Sequence, residues 1–491
     1  MTTSKKRQSS LPHPLRRPVG SGPDNAIPDG ILRGFSGLID SILRDNRRPR
    51  FAPIFYTMKL LPLLFVSFSL LASAAEKPNI LFLLSDDQAW GDYSFMGHPH
   101  IETPHLDKLA SQSLTFKRGY TPVPLCRPSL ASILTGLHPH QHQVTGNDVA
   151  LPQEAGNPQL GRKDPRYAEK FTEVTAQWRK HPNWIRSLKE SGYRSLQTGK
   201  WWEGRPVEEG DFTQGMTFGT PDKGGRHGDA GLDIGRKGIQ PIKDFVQASG
   251  DQPWFVWYGV FLPHTPHNPP QELLNKYLKK TDNPNIAAYW ACCEWLDQTI
   301  GELMSFLEER GELENTLIIY TCDNGWIQDP ERLNRFNPRS KQTVYEGGIR
   351  TPILFSWKDR IQPRIDDINL ASNLDIWPTA AALCNTPLPE GLTGIDLTKF
   401  AEVENRTTIY GADYSHDMVE LGSPEKSLEF RYIIDGDWKL IQPHAPRSPE
   451  AQPELYNLKN DPHEKENLVA RQPDRAKALL SKLNAWWTPK K

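Results

Sequence analysis

The chain has 491 residues, 58 Lys and Arg against 59 Asp and Glu, 37% apolar residues and a net charge of −1. That length and apolar fraction hold one large or two ordinary domains around a sizeable core and exclude a disordered chain. The near-neutral balance offers no basic footprint for nucleic acid, and five cysteines (Cys126, Cys292, Cys293, Cys322 and Cys384) form no regular disulfide framework.

Residues 1–57 differ in kind, with ten Lys or Arg against four Asp, many Pro and Gly, and no sustained periodicity. They are expected to be disordered or a mis-called extension. Met58 opens a second beginning. Lys59, the apolar run 60–71 and Ala72-Ser73-Ala74 have the layout of a secretory signal peptide over 58–74, cleaved before Ala75. The run is short for a span and contains Pro62, so the mature chain is expected to carry no stable membrane span and to be exported to a periplasmic or extracellular location. Loss of residues 1–74 removes eleven basic and four acidic residues and leaves a mature chain at −8.

From Asn79 the pattern changes. N-I-L-F-L-L (79–84) and T-L-I-I-Y (316–320) are continuous apolar runs, as expected of strands covered on both faces. Helical patterns at 104–111, 184–191 and 286–310 lie between such runs, which predicts an α/β fold with a doubly wound, mostly parallel sheet. Ligands of these sheets bind beyond the carboxyl ends of the strands. Four apolar segments end in conspicuous polar residues: 79–84 in Asp86-Asp87, 193–196 in Lys200, 254–262 in His264, and 316–320 in Asp323-Asn324. Their expected convergence on one rim makes a hard, oxygen-rich site suited to Ca²⁺ or Mg²⁺. Lys200, His264 and Lys341 would then place positive charge and protons around an anion.

The segment C-R-P-S-L-A-S-I-L-T-G (126–136) places Cys126 at a predicted helix start, with Pro128 in the first turn, Ser129 able to cap, a buried stripe of Leu130, Ile133 and Leu134, and Gly136 as the stop. The positive end of that helix is expected to lower the thiol pKa and to attract an anion. Segments 151–182 and 205–240 read as long insertions near the rim, and Trp178, Trp184 just beyond the first segment, and several Arg and Lys suit sugar faces and anionic groups.

Six motifs in order resemble the sulfatase family, which has the alkaline-phosphatase-like fold. They are N-I-L-F-L-L-S-D-D-Q; the Cys126 motif with L-T-G-L-H-P-H-Q-H-Q-V-T-G-N; G-Y-R-S-L-Q-T-G-K-W; F-L-P-H-T-P-H; Y-T-C-D-N-G; and S-K-Q-T-V-Y-E-G-G-I-R-T-P. The ending E-L-Y-N-L-K-N-D-P-H-E-K-E-N-L resembles the family's smaller C-terminal α+β domain, a short antiparallel sheet with a terminal helix, and its hairpin is expected at 431–441 around Asp435-Gly436. The organisation expected is a catalytic domain over 75–400 and a C-terminal domain over 401–491.

The resemblance implies a sulfuric ester hydrolase, arylsulfatase-like, acting on a sulfate ester such as a sulfated carbohydrate. It implies oxidation of Cys126 to formylglycine by a formylglycine-generating enzyme or equivalent, attack on sulfur by one hydroxyl of the hydrated aldehyde, and a covalent sulfo-enzyme resolved by the second. The divalent cation, Ca²⁺ with Mg²⁺ as the alternative, would be held by Asp86, Asp87, Asp323, Asn324 and the side chain at 126. Lys200 and Lys341 would neutralise sulfate oxygens, and His264 would assist the leaving alcohol. Two positions depart from the family pattern. The arginine of Cys-x-Pro-Ser-Arg is Leu130, and the histidine two residues after the motif lysine is Trp202. His227 or Glu203 is expected to supply the missing base. Alternative readings are a phosphate or phosphonate ester hydrolase of the same superfamily, and a non-catalytic binder of sulfated glycans in which Cys126 stays unconverted.

Overall fold

The computed structural model describes residues 77–151, 164–219 and 230–490, all within the unit Ser73–Lys491. The expected extension at 1–57 and signal peptide at 58–74 lie outside the described residues. In chain order the strands are β1 (Asn79–Asp86), β2 (Leu114–Tyr120), β3 (Asp148–Val149), β4 (Arg194–Gly199), β5 (Gln214–Gly215), β6 (Trp254–Pro263), β7 (Thr316–Cys322) and β8 (Arg350–Ser356). There follow β9 (Arg364–Asp366), β10 (Ala371–Ser372), β11 (Thr408–Tyr414), β12 (Asp417–Met418), β13 (Leu428–Asp435), β14 (Trp438–Pro443) and β15 (Glu454–Asn457).

The principal sheet has the order β10-β2-β8-β7-β1-β6-β4-β5, with β9 added beside β2. Its pairings are parallel except where β8 runs against β7 and β2. The alternation within β1 shows why an unbroken apolar run was needed. Ile80, Phe82 and Leu84 enter one core, with the helices Cys126–Thr135, Trp184–Glu190 and Ile376–Cys384. Leu81 and Leu83 enter a second core, with Pro104–Ser111, Gln240–Ser249 and Pro284–Glu309. Side chains two apart share a face of a strand, so a sheet covered on both sides needs apolar residues at every position.

The reversal of β8 has a consequence for the site. Its amino end lies at the same rim as the carboxyl ends of β1, β4, β6 and β7, so the 340–349 segment that precedes it arrives at that rim. Tyr120, the last residue of β2, pairs with Arg350, the first of β8, so the chain leading from β2 to Cys126 arrives there too.

A second, antiparallel sheet has the order β11-β13-β14-β15. One face packs on the helix Pro473–Trp486 through Ile433, Leu440, Leu455, Leu479 and Leu483, and the other joins Tyr120, Val344 and Ile349 through Tyr432, Ile434 and Tyr456. The hairpin between β13 and β14 turns at Gly436, inside the expected 431–441 span. No helix among the described residues is long and apolar enough to cross a membrane.

Candidate active site

Strand register brings the polar strand ends together. Ser85 lies opposite Cys322, which sets Asp86 beside Asp323, while Asp86 lies opposite Pro263 on the other side, one residue before His264. Gly199, opposite Gly259, has φ +71, and a Cβ there would fall 1.9 Å from the Gly259 carbonyl oxygen. Only glycine permits this approach, and Lys200, whose backbone N–H donates to that same oxygen, is thereby aimed at the cluster.

Oxygens of Asp86, Asp87 and Asp323 and the Cys126 sulfur lie within 4.8 Å of one another, all buried. The Lys200 ammonium bridges Asp86 and Asp323, at 2.8 Å from the latter. Lys341 donates to both oxygens of Asp87 at 2.7 Å, and the Asn324 side-chain amide donates to Asp87 at 2.7 Å. His264 Nε2 stands 3.5 Å from Asp87 Oδ2. Asp87 itself has φ 63, a left-handed conformation costly for a non-glycine residue and held here by its partners.

Burial and charge oppose each other in this cluster. Burial pushes the Asp86 carboxyl well above the carboxylate range despite Lys200. At Asp87 burial also pushes upward, but Lys341, His264 and Lys200 outweigh it and bring the group to about 2. Burial lowers His264 to about 3. With all three carboxyls ionised, the form in which they would ligate a cation, they outnumber the two ammoniums and carry one net negative charge out of water. Asp86 Oδ2 and Asn324 Oδ1 are buried and accept no hydrogen bond among the described residues. Oxygens left bare in a site with surplus negative charge fit a hard divalent cation.

Cys126 begins the helix Cys126–Thr135, which ends at Gly136 with φ 67. Ser129 provides no cap; its hydroxyl donates to the Asp323 carbonyl at 2.6 Å and so ties the helix to the end of β7. The expected lowering of the thiol pKa is overturned. Complete burial raises Cys126 to about 12, more than Lys200 and Lys341 take back. A helix end acts through partial charges, and desolvation of a whole thiolate outweighs it.

The two departures from the family pattern have distinct surroundings. Leu130 is buried in the main core, and Arg127 does not replace the missing arginine: its Nε and Nη2 donate to the two Glu203 oxygens at 2.8 Å, and its guanidinium lies 4.2 Å over Phe171. Both Glu203 oxygens are thus engaged, in a buried ion pair, which leaves this carboxylate poorly disposed for proton transfer. The Trp202 ring lies 5.3 Å from the Lys200 ammonium, a cation–π contact at the position where the family pattern has a histidine. His227 lies outside the described residues. Trp178 and Trp184 are core residues, packed edge-on to Trp201 and Phe82, so they offer no face to a sugar. All five cysteines are free and buried.

Sequence reasoning missed Arg236, which donates to three backbone carbonyls, one at the end of β6 and two in the segment after it that carries His264. Nothing in G-L-D-I-G-R-K-G announces those acceptors, which lie 25 to 30 residues away in sequence.

A sequence model of the family described as Sulfatase matches residues 78–386, and one described as N-sulphoglucosamine sulphohydrolase, C-terminal matches 336–486. The chain is 26% identical to the N-acetylgalactosamine-6-O-sulfatase of Bacteroides thetaiotaomicron, covering 84% of this chain and 93% of that protein. It is 29% identical to human (Homo sapiens) arylsulfatase A, over 66% of this chain and 68% of that one. The fold is similar to that of Ps i-CgsB solved in complex with k-i-k-neocarrahexaose, with a TM-score of 0.65 and 22% identity over 84% of this chain and 93% of the other. The chain belongs to the sulfatase family, with its alkaline-phosphatase-like fold, and is a sulfuric ester hydrolase.

Proposed function

We propose that the protein is an exported hydrolase of sulfate esters on carbohydrates, working through formylglycine formed from Cys126 and a divalent cation. The observation that carries this reading is the buried meeting of Asp86, Asp87, Asp323 and position 126, with two lysines and two bare oxygens in the same cluster. The carbohydrate class is supported by relatives such as the N-acetylgalactosamine-6-O-sulfatase. Export is supported by the signal-peptide layout of 58–74.

Asp86, Asp87, Asp323, Asn324 and the residue at 126 would hold Ca²⁺ or Mg²⁺, which supplies Lewis-acid polarisation of the sulfate. With its three carboxyls ionised and a divalent cation held among them, the cluster would carry one net positive charge, equal and opposite to that of a singly charged sulfate ester. Conversion of Cys126 by a formylglycine-generating enzyme or equivalent supplies the nucleophilic hydroxyl. Lys200 and Lys341 carry fixed ammoniums, fully buried and nearly buried respectively, where they gain strength from exclusion of water and would neutralise developing charge on sulfate oxygens. His264 Nδ1 lies 2.7 Å from the Thr265 carbonyl, an acceptor only, so Nδ1 carries the hydrogen and Nε2 faces the cluster, placed to serve the leaving alcohol. Glu203 holds Arg127 in this reading, and His227 is the candidate for the base that Trp202 cannot supply.

Peptide mass spectrometry across Cys126, on protein recovered after export, tests the reading. Formylglycine at 126 is the expected result, and an unmodified thiol in folded, metal-loaded protein overturns it. Sulfate and phosphate monoesters of one leaving group, compared by kcat/KM, separate the two chemistries, with sulfate expected to be favoured.

A further inference from the structure

The His264 side chain is oriented by backbone, and that backbone is held from behind. Nδ1 of His264 donates to the carbonyl of Thr265. The flanking peptide groups converge on one guanidinium: Arg236 Nη2 donates to the carbonyls of Phe261 at 2.8 Å, His264 at 2.9 Å and Pro266 at 3.3 Å, and Nη1 donates to Asn268 Oδ1 at 2.6 Å. The guanidinium also lies 5.3 Å over the Trp295 ring, on the helix Pro284–Glu309, which anchors it to an element outside the loop.

Arg236 is itself set by a tight turn pressed against β6. Gly235 has φ +74 and its N–H donates to the Gly238 carbonyl at 3.0 Å. A Cβ at this position would lie 2.7 Å from both the Tyr258 hydroxyl and Val260 Cγ2 of β6. The turn therefore reaches the back of the loop only because residue 235 lacks a side chain. A planar fork serves this task where an ammonium does not, since the acceptors belong to four different residues and need donors fixed in direction.

We infer that Arg236 is a positioning residue for leaving-group assistance: it fixes the 261–268 backbone and, through the Thr265 carbonyl, the direction of His264 Nε2. The inference rests on the role proposed above for His264. Misplacing a proton-transfer group by a fraction of an ångström costs most when the departing oxygen most needs a proton, so the consequence is selective in substrate rather than uniform.

The test uses the exported full-length protein, with formylglycine content at 126 measured for every sample, and kcat/KM along a series of aryl sulfates from 4-nitrophenyl to unsubstituted phenyl. Arg236→Met is expected to lose activity about a hundredfold on the poorest leaving group and less than about threefold on the best, steepening the dependence on leaving-group pKa. Arg236→Lys is expected to fall between Arg236→Met and the parent. His264→Ala should show the same steepening, with the double variant no worse than His264→Ala alone. A parallel loss across the series, or none, in the Arg236 variants while His264→Ala steepens overturns the positioning role. A His264→Ala series parallel to the parent overturns the role of His264 and this inference with it. If Arg236→Met does not fold, the slope for Arg236→Lys decides in the same way.

Discussion

At the scale of single residues the site combines buried charge with incomplete neutralisation. Cys126 occupies little volume, so Cys126→Ala is expected to cost only about 1 kcal/mol of stability while lowering turnover at least about a thousandfold. Thermal melting and kcat on the same preparation check the pair of outcomes. The bare Asp86 Oδ2 and Asn324 Oδ1 lead to a second expectation. Chelation of divalent cations should abolish turnover and lower the melting temperature, and Ca²⁺ should restore both, because a ligand present at a hundred times its Kd adds about 2.7 kcal/mol to the folded state. Unchanged melting in the presence of chelator would remove the cation from the account.

At the scale of elements the helix that opens on Cys126 is fixed at two points. Ser129 ties it to the end of β7, and Arg127 ties it to the segment after β4 through Glu203. Glu203→Gln leaves the buried Arg127 charge uncompensated and is expected to destabilise the fold by about 3–5 kcal/mol. Replacement of both residues by Met should recover part of that loss. Denaturant unfolding of the single and double variants measures both effects. A Glu203→Gln enzyme with parental stability but a stalled second half-reaction would instead make Glu203 the missing base.

At the scale of the whole molecule the second sheet reaches under the segment carrying Lys341. Lys439 of β14 is wholly buried between Glu346 at 3.1 Å and Glu464 at 2.7 Å, and the Tyr120 hydroxyl also donates to Glu346. Lys439→Met leaves two carboxylates facing each other and is expected to cost about 3–5 kcal/mol. Because Glu346 lies five residues after Lys341, turnover should fall as well. The group also shapes the dependence of stability on pH. Burial, with Glu346 as a like-charged neighbour, raises Glu464 from an ordinary 4.5 to about 7, against the pull of Lys439. The folded state therefore binds the proton more tightly than the unfolded chain, so this contribution is full below pH 4.5 and is lost as pH rises toward 7. Glu464→Gln should flatten the stability profile between those limits, as read by chemical unfolding at a series of pH values.

Apolar runs ending in Asp86, Lys200, His264 and Asp323 were legible in the sequence because a parallel sheet collects carboxyl ends at one rim, and each run announces its own strand. The helix at Cys126 was legible for the same local reason. Tertiary structure alone decided how those side chains are used. Burial reversed the expected direction of the Cys126 pKa, packing took Trp178 and Trp184 into the core, and a partner 76 residues away engaged both oxygens of Glu203. Periodicity encodes which face of an element leaves water. It does not encode which distant group meets a side chain there, and it is that meeting, in a medium of low polarity, that sets charge, orientation and reactivity.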